Sequence, residues 1–533
     1  MAGVAAAMQA VLAVAFAPAE HPLDVVVSAT SGAGVSATSS GSGAGFMSLP
    51  PCAGIPTKLA LPLDPHRFFY MKNSTTYFNP ATLGPVPKPA LECAHALQME
   101  LAANPAANYD WDLGPAASRL DAVRLEVANF LGAASIDEVQ LVPSTTIGIN
   151  TAVEGLVMSG YLRRGRGQVV LTTDMEHEGG VAAYKNLVER GVIAKLEAIA
   201  LPVADETTAD GIVGRFAAAF KRHPPHTVAL IGVSHVLTTT GVALPIEKLA
   251  ALAHQHGAML VVDGAQASCT IPLSLNATGA DVYATSGHKH LLGPTGSGVL
   301  YVRHSATHRA HDRSQCAFGA FAESASSAFA RCIRSVHSRA ALRSLHRGVL
   351  LQVRKSAQPH VLPTLLDGGF AGYSQTTGTA PLATIAGLGY SVRLLASAGG
   401  VRAVSAYSNR LRDRLYDGLQ ALAKAHKGLR VLSPSRASGL ASSLLSFQLP
   451  PTMPKSGEVS NALKAQGFEV KHLPDHEGGT PLVDNAIRFT THVYNSEADC
   501  DKLLAALRAA LGHSSAHAAH GGAAFWSTLE PKS

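Results

Sequence analysis

From about residue 116 the chain alternates between helical and extended hydrophobic patterns. Leu120, Val123, Val127 and Phe130 recur at helical spacing, and Gly132 follows them as a C-terminal cap would. Short apolar runs then alternate with helical stretches: VQLV (139–142), QVVLT (168–172), VALIGV (228–233), MLVV (259–262), VYAT (282–285) and GVLYV (298–302). Between two of them Pro245 opens a helix carrying Ile246, Leu249, Leu252 and Ala253, which stops at Gly257. Strands that are apolar on both faces and separated by helices predict a mainly parallel sheet covered on both sides. In such a sheet ligands bind beyond the carboxyl ends of the strands. After about residue 396 the pattern changes to long helices, near 400–423 and 496–510, flanking the shorter strands SLLSFQL and AIRFTTHV. This predicts a smaller second α+β domain, so the expected division is 67–395 for the large domain and 396–511 for the small one.

Composition narrows the class. Among 533 residues, 47% are hydrophobic and 15% charged, and no uninterrupted run of 18 apolar residues predicts a spanning helix. The six cysteines (Cys52, Cys93, Cys269, Cys316, Cys332 and Cys500) show no metal-ligand spacing. They read as free thiols in a reducing compartment, which makes a cytoplasmic protein the expectation and leaves an N-terminal signal or transit segment open. Residues 1–57 hold no Lys or Arg and include the low-complexity text VSATSSGSGAG, so residues 1–66 are expected to be disordered. The tail 512–533 is compositionally biased in the same way.

The net charge of +6 is not spread over a folded face. Ten Lys/Arg against two Asp/Glu lie between Arg303 and Lys355, in a Ser/Arg/His-rich stretch that reads as an insertion at about 304–355. Neither a nucleic-acid partner nor a membrane is expected.

Candidate chemistry gathers at the predicted strand ends. In TSGHKHLLGPTGSG, Lys289 follows a strand, flanked by Ser286 and His288 and by a Gly/Pro-rich turn. Burial or nearby positive charge lowers a lysine's pKa and lets it form a Schiff base with an aldehyde; a plain surface lysine is the other possibility. Asp263 ends the apolar strand MLVV, with Gln266 three residues later; it is either a helix N-cap or a buried acid facing a protonated ring nitrogen. Ser144, Thr145 and Thr146 begin a helix straight after VQLV, which suits either simple capping or an anion site. His177, after QVVLTT, either stacks on an aromatic ring or is a satisfied loop residue.

In this order the pieces resemble fold type I pyridoxal-phosphate enzymes, specifically the class V aminotransferase family with its cysteine desulfurase and isopenicillin-N-epimerase-like branches. The resemblance runs from TYFNPATLGPVP (76–87) to near Leu511. It is densest in GVSHVLTTTGVALPIEKLAALAHQHGAMLVVDGAQA and in SGHK followed by GPTGSG. It implies an α/β fold with a large domain built on a mainly parallel seven-stranded sheet and a small C-terminal α+β domain. It also implies pyridoxal 5'-phosphate as cofactor, with Lys289 as the Schiff-base lysine, Asp263 on the pyridine nitrogen and Gln266 on the ring hydroxyl. His177 would stack on the ring, Thr145, Thr146, Ser286 and His288 would hold the phosphate, and Thr238 would be a polar neighbour of the cofactor. Arg488 would bind the substrate carboxylate. Gly378 and Thr379 would reach the partner's phosphate in a homodimer.

One departure bears on the reaction. A persulfide-forming desulfurase needs a loop cysteine shortly before the carboxylate arginine, and KHLPDHEGGTPLVDNAIR contains none. The expected activity is therefore β-elimination on a cysteine-type amino acid (a C–S lyase), with epimerisation or transamination as alternatives. A persulfide-forming desulfurase and a non-catalytic binding protein stand further back. Asn79, Trp111, His472 and His476 are the unranked pocket candidates.

Overall fold

The computed structural model describes residues 49–106, 119–204, 207–304, 380–473 and 483–517, all within one compact unit. After the short strand β1 (Thr76–Tyr77), the larger sheet is built from β2 (Val139–Val142), β3 (Val169–Thr173), β4 (Lys195–Ile199), β5 (Val228–Ser234), β6 (Met259–Asp263), β7 (Val282–Ser286) and β8 (Gly298–Val302). Their order across the sheet is β2-β8-β7-β6-β5-β3-β4. Only β8 runs against the others, pairing antiparallel with β2 and β7. The expected fold class, a mainly parallel seven-stranded sheet, is the one found.

Side chains along the central strands alternate between two cores, as the two-residue period requires. In β6, Met259 and Val261 pack with the helices Thr145–Met158 and Glu178–Glu189. Leu260 and Val262 pack on the other face with Arg119–Leu131, Ala209–Lys221, Ile246–Gln255 and Leu382–Ser397. Strands covered on both sides stay buried throughout, which is why their text is unbroken in hydrophobicity. β4 was not expected. It is an edge strand that leaves Lys195 and Ala198 exposed, and its two charges in KLEAI hide it from a search for apolar runs.

The second sheet has the order β12-β13-β10-β9, with β9 (Arg430–Val431), β10 (Leu444–Gln448), β12 (Lys471–Leu473) and β13 (Ala486–Thr490), all antiparallel. Its core is closed by the helices Gly400–Ala425, Ser456–Ala465 and Glu497–His517. β11 (Phe468–Glu469) pairs in parallel with β1, so residues 76–77 are stitched onto the C-terminal part of the chain.

Three expectations need correction. Residues 49–66 are ordered: Leu49 and Leu63 are buried, and a short helix begins at Pro65 under an Asp64 cap. Cys52 and Cys93 are not free thiols but form a disulfide with a sequence separation of 41; Cys52 and Gly54 lie against Pro89 at the start of the helix Lys88–Ala103, which spacing alone does not reveal. The last helix does not stop near Leu511 but continues to His517, six residues into the expected disordered tail. Apart from His304, the insertion lies outside the described residues, as do Gly378, Thr379, Trp111 and His476. Among the described residues no single helix is long and apolar enough to cross a membrane.

Candidate active site

The carboxyl ends of β5, β6 and β7 carry Ser234, Asp263 and Ser286. Together with the starts of two helices they floor a cavity of about 330 Å³. Ten of the twelve expected site residues line it: Thr145, Thr146, His177, Thr238, Asp263, Gln266, Ser286, His288, Lys289 and Arg488.

One end of the cavity is an anion cradle. Ser144 caps the helix Thr145–Met158 by accepting from the Ile147 N–H at 3.2 Å, so the first-turn N–H groups and the helix dipole face the space. Thr145 Oγ1 and Ser286 Oγ lie 2.7 Å apart and hold each other in place. His288 donates Nδ1–H to the Ser297 carbonyl at 3.1 Å, and burial depresses its pKa.

The floor holds a buried acid. Asp263 Oδ1 accepts from the Ala265 N–H at 2.9 Å, and burial raises its pKa, although that N–H and the charges of Lys289 and His177 oppose the rise. A β-carbon on Gly180 would stand 2.6 Å from Asp263 Oδ2, so a larger residue there would have to push the carboxylate aside. His177 caps the helix Glu178–Glu189, its Nδ1 accepting from the Gly179 N–H at 3.0 Å. Lys289 has its pKa brought down to about 8, chiefly by burial and further by Arg488, with Asp263 working the other way.

The far wall is Arg488, buried in the middle of β13. Its Nη1 donates to the Thr238 carbonyl and to Thr238 Oγ1, both at 3.0 Å, and Nη2 donates to Thr82 Oγ1 at 3.1 Å and Asn79 Oδ1 at 3.4 Å. Of these clamps Thr82 was not expected and Asn79 had stood unranked; Ala81 beside them, which lines the cavity, was not expected either. Their text, NPATLGP, offers only a Pro/Gly loop signature. Gly84 N–H donates to the His288 carbonyl at 2.9 Å and ties that loop to the lysine segment. Lys471 also lines the cavity, opposite Arg488 on β12. His472, next to it, is not among the lining residues.

The family model for aminotransferase class-V matches residues 76–321. That stretch, a little under half of the chain, resembles the class V aminotransferase family. It is 40% identical over 188 residues to a cysteine desulfurase of Klebsiella pneumoniae, and 32% identical over 188 residues to one from Escherichia coli strain K12. Each match takes in 35% of this chain and 43% of the relative, so the chain spans less than half the length of these curated relatives. Among solved structures it resembles the apo cysteine desulfurase of Thermococcus onnurineus, at TM-score 0.62 and 21% identity over 86% of this chain and 99% of that one. It also resembles the cystine C-S lyase C-DES in complex with its product cysteine persulfide, at TM-score 0.59 and 21% identity over 82% and 97% of the two chains.

Class V aminotransferases depend on pyridoxal phosphate. The cavity fits that group in kind: an anion cradle at a helix start, a lysine amine of lowered pKa, and a carboxyl buried at the end of an otherwise apolar strand, where a cationic ring nitrogen would satisfy it.

Proposed function

We propose that the protein is a pyridoxal-phosphate enzyme that removes a sulfur leaving group from Cβ of a cysteine-type amino acid. The observation that carries this choice is a cavity equipped for work at Cα but lined by no thiol among the described residues. Cys269 and Cys500 are buried, with burial pushing Cys500 up to about 12 and Cys269 higher still; Cys52 and Cys93 are joined to each other. A persulfide-accepting cysteine is also missing from residues 471–488. Similarity to both cysteine desulfurases and a cystine C-S lyase supports sulfur amino acids as the substrate class.

Bound in the cavity, pyridoxal phosphate supplies the electron sink that makes the substrate Cα–H acidic. Thr145, Thr146, Ser286 and His288 would hold its phosphate, Asp263 would pair with the ring nitrogen, the Gln266–Thr238 pair would lie at the ring hydroxyl, and His177 would cover the ring. Lys289 is the residue that would hold the group's aldehyde, and its free amine would take the substrate's Cα proton; its lowered pKa leaves a usable fraction of free amine near neutrality. The Arg488 fork, preset by Thr82, Asn79 and Thr238, orients the substrate carboxylate. Overall the Cα–H and Cβ–S bonds would break and a Cα=Cβ bond would form, with the sulfur leaving with the C–S electron pair and taking the proton held by Lys289. Water would then hydrolyse the released 2-aminoacrylate, as its imine, to pyruvate and ammonia. The homodimer expected through Gly378 and Thr379 belongs to the same proposal.

The test is proton NMR in heavy water with the cofactor-loaded protein, a panel of amino acids and cysteine S-conjugates. Pyruvate formed from a conjugate supports the lyase. Loss of the Cα proton signal without pyruvate replaces it with epimerase-type chemistry, and a keto acid appearing only with an added acceptor replaces it with transamination.

A further inference from the structure

The residue after the lysine, His290, is buried and does not line the cavity, yet its ring reaches the cavity through Gln266. The Ala81 carbonyl can only accept a hydrogen bond, so the Gln266 atom 2.9 Å from it must be the amide nitrogen. The amide oxygen then faces His290 Nε2 at 2.8 Å. An amide oxygen only accepts, so His290 Nε2 must carry the ring proton. His290 Nδ1 is correspondingly a buried atom without a hydrogen-bond partner, and burial holds the ring's pKa far below the ordinary histidine value. His492 locks the pair from behind: its Nε2–H donates to the His290 carbonyl at 3.0 Å, and the two rings stack with centroids 6.1 Å apart.

The chain of donors continues toward the cavity. The second Gln266 amide hydrogen goes to Thr238 Oγ1 at 3.1 Å, and Arg488 Nη1 donates to the same oxygen at 3.0 Å. A hydroxyl oxygen that accepts twice has only its proton left to offer.

We propose that His290 is a positioning residue: its Nε2–H fixes the Gln266 amide with the nitrogen toward Thr238, and Thr238, accepting from Gln266 and Arg488 together, presents its hydroxyl proton to an acceptor oxygen of the cavity's occupant. This rests on the cavity taking pyridoxal phosphate. Without the His290 donor the Gln266 amide is held by the Ala81 carbonyl alone, its oxygen loses its buried partner, and the aim of the Thr238 proton loosens.

Two measurements test it. In the cofactor-free protein labelled with ¹⁵N-histidine, the His290 ring is expected to be neutral with the proton on Nε2; a proton on Nδ1 overturns the proposal. In the second, His290→Leu should weaken pyridoxal-phosphate binding about tenfold and move the pH titration of the bound cofactor's visible absorbance, the cost of one lost buried hydrogen bond. His290→Gln, which returns an N–H to the same place, should restore both. A folded Leu variant with affinity and titration unchanged overturns the proposal. If the Leu variant does not fold, the Gln variant decides: native-like values support it, and a tenfold loss overturns it. Failure of the native protein to bind pyridoxal phosphate would sink the proposed function while leaving the His290 tautomer to be read on its own.

Discussion

Gly180 and Asp263 approach so closely that a β-carbon on the glycine would stand 2.6 Å from the carboxylate Oδ2. The first turn of the helix Glu178–Glu189 is thereby a wall against which the acid is set. Gly180→Ala should displace Asp263 and weaken cofactor binding by about 1–3 kcal/mol, the usual scale of an overpacked site. Cofactor titration followed by visible absorbance measures it, with thermal unfolding of the cofactor-free variant as the control. An affinity equal to the native value would mean that Asp263 does not meet the cofactor.

Lys289 has a pKa of about 8 where an ordinary lysine has 10.5. Only the free amine captures an aldehyde, so cofactor capture by the apo-protein should speed up about tenfold per pH unit below pH 8 and level off above it. Stopped-flow absorbance reads this directly, and Lys289→Ala should show no capture. The same shift leaves the unfolded chain holding the extra proton between about pH 8 and 10.5, so this group's contribution to stability rises with pH across that window.

Glu176 lies beneath the site, accepting from Ser234 N–H at 2.8 Å and from Thr173 Oγ1 at 2.6 Å. Burial raises its pKa from 4.5 to about 7. Here the sign reverses, because the folded state holds the proton that the unfolded state has lost. The native protein should therefore lose stability as pH rises from 4.5 through 7, by on the order of 3 kcal/mol from this group. Denaturant midpoints compared between native and Glu176→Gln across that range should differ in slope, the variant being the flatter. Parallel curves would show that Glu176 is not titrating there.

Cys52 and Cys93 close a loop with a sequence separation of 41. Cys52→Ser should cost about 2–4 kcal/mol by releasing that constraint on the unfolded chain. Peptide mapping without reductant should recover the two cysteines as one linked pair. Quantitative alkylation of both thiols in the native protein would remove the bond from the account.

Most of the large sheet was legible because its inner strands are covered on both faces: β5, β6 and β7 are buried at every position, and unbroken apolar text is what such strands must show. β4 escaped because an edge strand keeps one face wet. The site residues on the large sheet were legible for a related reason. Polar groups at the ends of apolar strands and at helix starts are locally conspicuous, and their order along the chain carried the family resemblance.

By itself, then, the sequence determined the strand-helix rhythm, a family resemblance, and the identities of Lys289, Asp263 and Arg488 as candidates. Only the tertiary structure decided what holds them. Arg488 is clamped by Asn79 and Thr82, which lie 409 and 406 residues away, and Gln266 is oriented by Ala81 and His290 from opposite sides. Local pattern records whether a residue will be buried. Which donor meets which acceptor depends on how separate elements dock, and the number of residues between the partners says nothing about that.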